Sequence, residues 1–182
     1  MKSLNAFSLL GLPTSPQLDE SLLAQRFDEL SRSQHPDAGG EASAFARLAE
    51  ARRQLSSPAA RWRHLLELQF PDTSLDGALP PSLMDIFATL GPALQKSQDL
   101  LRRKTTASSA LTRALLTTEA MRHRESLEMT ATTLADRLDS LQSAAAAWDG
   151  TGTTLAAWAR EAAFLEKWQS QTRETLWLLA MD

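Results

Sequence analysis

The stretch LDESLLAQRFDELSRSQHPDAGGEASAFARLAEARRQL, residues 18–55, decides the fold. Its first half sets Leu23, Phe27 and Leu30 four and three residues apart, the spacing of one face of an α-helix. Asp19 stands where an N-cap belongs, because its carboxylate can accept from the unpaired amides of a first turn. His35-Pro36 ends the segment, since the residue before a proline is driven out of the α region. Gly39-Gly40 gives the backbone freedom for a turn. Phe45, Leu48 and Leu55, with Ala49 and Ala51 beside them, then face back. The spacing predicts two antiparallel helices joined by a loop that carries His35-Pro36-Asp37.

Outward from this hairpin, helical spacing continues and strict alternation is hard to find, so the chain reads as all-α. Ala6-Phe7-Ser8-Leu9-Leu10 is a short helix stopped by Gly11 and Pro13. Pro58 suits the first turn of a fourth helix, which runs through Trp62, Leu65, Leu66 and Leu68. Residues 69–81 change to Pro, Asp, Thr, Ser and Gly, the composition of a linker. Beyond it Ser82-Leu83-Met84-Asp85 has the form of a capping box with Asp for Glu. Leu83, Phe87, Leu90, Leu94 and Leu101 keep helical spacing to Lys104, with a kink or break expected at Gly91-Pro92. A long helical stretch covers about 106–147, where Leu127, Leu134, Leu138, Leu141 and Ala145 repeat at nearly 3.5 residues. Asp149-Gly150-Thr151-Gly152 closes it, and a last helix over roughly 154–180 carries Leu155, Trp158, Ala162, Leu165, Trp168 and Leu176. Three such helices joined by short loops predict an antiparallel bundle. The expected division is therefore 1–70, a linker at 71–81, and 82–182.

Bulk composition excludes several function classes. The 182 residues have a formal charge of −3. Basic and acidic residues number eight and eight up to residue 70, then eleven and fourteen, so no basic face for nucleic acid emerges. Cysteine is absent, which removes disulfides, thiolate metal sites and thiol catalysis and suits a reducing cytosol. No signal peptide and no run of about 18 apolar residues is evident, so the expected setting is soluble and cytoplasmic, without a membrane. His35, His64 and His123 lack ligand-like spacing, so neither a metal nor another cofactor is expected. Neither a nucleophile elbow nor a glycine-rich phosphate loop appears. His64 and His123 read as ordinary surface or helix residues, Glu125 and Glu128 as a solvated face. An enzyme is not expected.

The loop is the place where chemistry gathers. Pro36 fixes its own φ and holds His35 extended. Asp37 offers a carboxylate that a partner's arginine could engage bidentately, and His35 offers ring nitrogens for hydrogen bonds.

Residues 1–70 resemble a J-domain, the module that switches on the ATPase of DnaK-type chaperones. The chain as a whole resembles the HscB family, J-domain co-chaperones of iron–sulfur cluster assembly. The likeness is carried by Phe7-Ser8-Leu9-Leu10-Gly11-Leu12-Pro13, by Leu18-Asp19 with Arg26-Phe27 and Leu30 ending in His35-Pro36-Asp37, and by Ser57-Pro58 through Arg61 with Leu65-Leu66. Leu83-Met84-Asp85 and Phe164-Leu165-Glu166-Lys167 resemble short stretches of the family's C-terminal bundle. The resemblance implies that His35, Pro36 and Asp37, helped by Arg26 and Arg32 on the outer face of the second helix, bind and trigger a DnaK/HscA-type chaperone. It also implies that Leu83, Met84, Phe87 and Phe164 hold an IscU-type scaffold. From spacing, Leu83 and Phe87 belong to the apolar stripe and the core, whereas Met84 lies off it and is the better exposed contact. The chain departs from the family pattern in several places. Gln34 and Ala38 replace the tyrosine and lysine that flank the loop motif. Four acids accompany only two arginines between Asp19 and Arg32. Ala88, Gly91 and Gln95 stand where the family places acids. A J-domain protein that recruits a DnaK-type chaperone to a different client is the alternative reading.

Overall fold

A computed structural model describes residues 5–34 and 41–181. Among the described residues there is no strand, and the helices are α1 (Ala6–Leu9), α2 (Glu20–Gln34), α3 (Ala42–Ser56), α4 (Pro58–Gln69), α5 (Pro81–Thr106), α6 (Ala110–Ala144) and α7 (Gly152–Ala180). The architecture is all-α as expected: a helical hairpin with short flanking helices, then three long helices. His35, Pro36 and Asp37 lie outside the described residues.

Local chemistry sets most of the helix starts. Asn5 accepts from the amides of Phe7 and Ser8 at the head of α1. Asp19 accepts from the amides of Ser21 and Leu22 and from the Ser21 hydroxyl, and these bonds hold its carboxyl below the usual carboxylate range. Ser57 caps α4 through the Ala60 amide, and Pro58 takes the first helical position. The expected capping box of α5 does not form. The helix starts at Pro81, so Ser82 already lies inside the first turn and no side chain caps it. Nor does Pro92 split α5, which runs continuously to Thr106. Leu83 and Leu90 before the proline, and Ser97 and Leu100 after it, are buried. Their packing holds both halves in one helix despite the lost hydrogen bond.

Two compact units divide the chain, Met1–Gly77 with Leu141–Ala163, and Ala78–Ser140 with Phe164–Asp182. The sequence places the division at a linker; by contact, the end of α6 and the start of α7 belong with the first unit. The reason is a set of specific contacts. Trp158 packs on Trp62 with ring centroids 5.8 Å apart, and Trp148 meets the Phe70 ring edge-on at 6.0 Å. Arg160 Nη1 donates to the carbonyls of Leu75 and Asp76 at 3.2 and 3.0 Å. At Gly152 a Cβ would sit 2.7 Å from Thr73 Oγ1 and 2.8 Å from Phe70 Cγ, so only glycine lets the two segments close.

Phe7, Leu10, Leu48, Leu55, Trp62 and Leu65 form the core of the first unit. Within it lies the buried Arg61, which donates to Leu55 O at 2.6 Å, to Pro16 O at 3.2 Å and to Gln142 Oε1 at 3.4 Å. The second unit buries Leu83, Leu90, Leu100, Leu116, Leu127, Leu134 and Leu165.

Contrary to the sequence reading, both His64 and His123 are buried. His123 Nε2 lies 2.9 Å from the Ser97 hydroxyl and 2.9 Å from the Ala93 carbonyl, so that nitrogen carries the proton. His64 is the opposite case. Its Nε2 accepts from the Ala6 amide at 3.0 Å, and its ring stacks on Phe7 at 5.9 Å. Burial lowers its pKa, with the Glu67 charge opposing. The unfolded chain therefore takes up this proton first, near the ordinary histidine value of about 6.5. The stabilisation is complete above that pH and declines as pH falls through it. Urea midpoints should be lower at pH 5.5 than at 7.5, and the gap should shrink in His64→Gln, whose amide oxygen can still accept from Ala6. An equal gap in both proteins would assign the effect to another group.

Candidate functional site

On the hairpin, α2 is anchored by the buried Leu23, with Phe27 and Leu30 half-buried. Arg52 of α3 lies over the Phe27 ring at 4.5 Å, a cation–π contact that ties the two helices together. Arg26, beside the Leu23–Leu30 face, and Arg32, away from it, are both exposed. Arg26 is engaged, with Nη1 3.2 Å from Glu29 Oε2, and Gln25 Nε2 donates to the same carboxylate at 2.8 Å. The Gln25 hydrogen bond lowers the pKa of Glu29 most; desolvation opposes it, and the charge and hydrogen bond of Arg26 and the charge of Arg32 add to the lowering. The α2 surface thus carries self-compensating charge, with Asp28 and Glu29 against Arg26 and Arg32.

On the second unit, the four residues of the expected scaffold contact separate. Leu83 is fully buried and unavailable to a partner. Met84, Phe87 and Phe164 are 56%, 51% and 39% exposed. Met84 is exposed as its position off the stripe implies. Phe87 is not the core residue that the spacing suggests. Four residues after Leu83, it is rotated by about 40° from the line through Leu83 and Leu90 and emerges at the edge of the buried face. There it stacks on Trp168 at 5.7 Å, with 29° between ring planes. Phe164 leans on the same indole at 5.9 Å and 58°. Trp168, itself buried, is the support that joins α5 and α7 at this surface. Sequence reasoning placed it only in the apolar stripe of the last helix. The three rings, packed on one another, lose little further freedom on binding, which suits an apolar docking face.

Among the described residues, no group of three His, Cys, Asp or Glu side chains could hold a metal ion, and no helix is long and apolar enough to cross a membrane.

No family model matches the chain, and no curated protein matches its sequence. A search of solved structures finds the chaperone HscB from Vibrio cholerae, with a TM-score of 0.56 and 24% identity over 94% of this chain and 96% of that one. The likeness is one of fold, and it spans both the hairpin and the long helices.

Proposed function

We propose that the chain is a cytoplasmic co-chaperone with no active site of its own, which stimulates the ATPase of a DnaK/HscA-type chaperone and delivers to it an IscU-type iron–sulfur scaffold. The observation that carries this reading is the position of His35-Pro36-Asp37 in the chain, directly after α2 ends at Gln34 and shortly before α3 begins at Ala42. A fold like that of HscB over nearly the whole chain supports it. The lack of cysteine fits a reducing compartment. In this reading residues 1–70 act as the J-domain, 71–81 as linker and 82–182 as the client-binding part. Arg26 and Arg32 assist the loop, while Met84, Phe87 and Phe164 meet the scaffold.

Calorimetric titration with an IscU-type scaffold from the same organism tests the reading. We expect micromolar-range binding, weakened at least tenfold in Met84→Ala/Phe87→Ala, because exposed aromatic anchors dominate such interfaces. Both side chains are solvent-exposed, so the variant should fold. A folded protein that ignores the scaffold would transfer the bundle to a different client and leave the chaperone half of the proposal standing.

A further inference from the structure

Where α5 ends and α6 begins, the second unit brings three helices around a cavity of about 420 Å³. Leu101 of α5, with Leu178 and Met181 at the end of α7, supplies its apolar wall. Among the described residues that line it, Lys104 and Arg113 are the only charged ones. Leu178 stands ten residues beyond Trp168, roughly 15 Å along α7, so this cavity is separate from the aromatic cluster.

Both cations are held by a backbone carbonyl. Lys104 Nζ donates to Met181 O at 3.1 Å, and Arg113 Nη1 donates to Ala107 O at 3.3 Å. An ammonium has three donors and a guanidinium five, so each head keeps donors for a further acceptor. Arg102 and Arg103, in the same turn of α5 as Lys104, are neutralised by Asp99 and Glu119. Lys104 and Arg113 differ from them, since among the described residues no acid pairs with either. The acid of α7 closest in sequence to Leu178 is the exposed Glu174, one turn earlier, and it does not line the cavity.

Two cations that share a cavity with an apolar wall repel each other, and a carboxylate between them relieves this through charge-assisted hydrogen bonds. Hydrocarbon attached to that carboxylate would cover Leu178 and Met181, which are 37% and 52% exposed, and remove apolar surface from water. The volume falls within the ~300–1,000 Å³ of small-ligand sites. We propose that this cavity binds an aliphatic carboxylate, with its head on Lys104 and Arg113 and its chain on Leu101, Leu178 and Met181. The site is independent of the chaperone and scaffold contacts proposed above.

Calorimetric titration of the whole protein with octanoate, octanol and acetate tests it. Octanol keeps the chain without the charge, and acetate keeps the charge without the chain. Octanoate should bind at least about tenfold more tightly than either. Arg113→Gln, at an exposed position, should weaken octanoate binding about tenfold, and so should Lys104→Met, which keeps an apolar stem. Octanol or acetate binding as tightly as octanoate would overturn the inference, as would octanoate affinity that survives in both variants. Failure of the wild type to bind octanoate would overturn it too, and binding gained in Asp182→Asn would then assign the two cations to the acid that follows Met181.

Discussion

Replacing Asp37 by asparagine is expected to abolish stimulation of a DnaK-type ATPase. Asparagine keeps the size and planar shape of the side chain and removes only its charge. A carboxylate that receives an arginine fork makes two charge-assisted hydrogen bonds, each about twice as strong as a neutral one. Losing one partner of such a contact at an interface costs about 2–5 kcal/mol, which corresponds to a drop of roughly 30-fold or more in the stimulated rate. Single-turnover ATP hydrolysis by the chaperone, measured with increasing amounts of wild type and variant, reads this directly. Far-ultraviolet dichroism and melting temperature, measured alongside and expected to match wild type, separate loss of the carboxylate from loss of the fold. Full stimulation by a folded Asp37→Asn protein would remove the loop from the mechanism.

The largest loss of stability is expected from Arg61→Met. Methionine can fill much of the space of the arginine stem, but it donates nothing. The Leu55 carbonyl would lose its 2.6 Å partner. Pro16 would keep only the Trp62 indole N–H at 2.9 Å, and Gln142 would lose a contact across the first unit. Hydrogen bonds from a charged group contribute about 1.5–3 kcal/mol each, so two or three of them amount to about 3 kcal/mol at the least. That is a large share of the ~5–15 kcal/mol that holds a typical domain together. Arg53→Met is the control, because Arg53 pairs with Glu50 on the exposed surface of α3, where such pairs contribute little. Equal urea midpoints for Arg61→Met and Arg53→Met would show that the buried guanidinium is not a structural centre.

Local signals in the sequence were sufficient wherever a feature depended on neighbouring residues. Asp19 caps α2, Pro58 opens α4, and Asp149 accepts from Thr151 and Thr154 at the turn before α7, each as its residue type suggests. The repeat of Leu127, Leu134, Leu138 and Leu141 is buried throughout, because a long run fixes a face even when each position is ambiguous. Single positions near the border of a face were harder to place. Phe87 and Leu83 share a stripe in sequence, yet a rotation of about 40° separates a half-exposed ring from a fully buried leucine. Leu30 similarly ends up half-buried at the edge of the α2 face. What periodicity could not carry at all were contacts between distant segments. His64 is buried because Ala6 offers it an amide, and Arg160 holds the carbonyls of residues 75 and 76. No spacing within one helix encodes either. The candidate site divides in the same way. The loop was readable as a motif, whereas the role of Trp168 depended on a ring supplied by another helix.

The interleaving of the two units has a consequence for synthesis on the ribosome. The first 77 residues emerge early, but their unit is completed by Leu141–Ala163. Until those residues appear, Trp62 lacks Trp158, Phe70 lacks Trp148, and Arg61 lacks Gln142. At ~5–20 residues per second, translation leaves that interval open for several seconds. The nascent first unit must therefore persist half-finished, with the aromatic surface of α4 uncovered, and it becomes whole only when most of the polypeptide has been made.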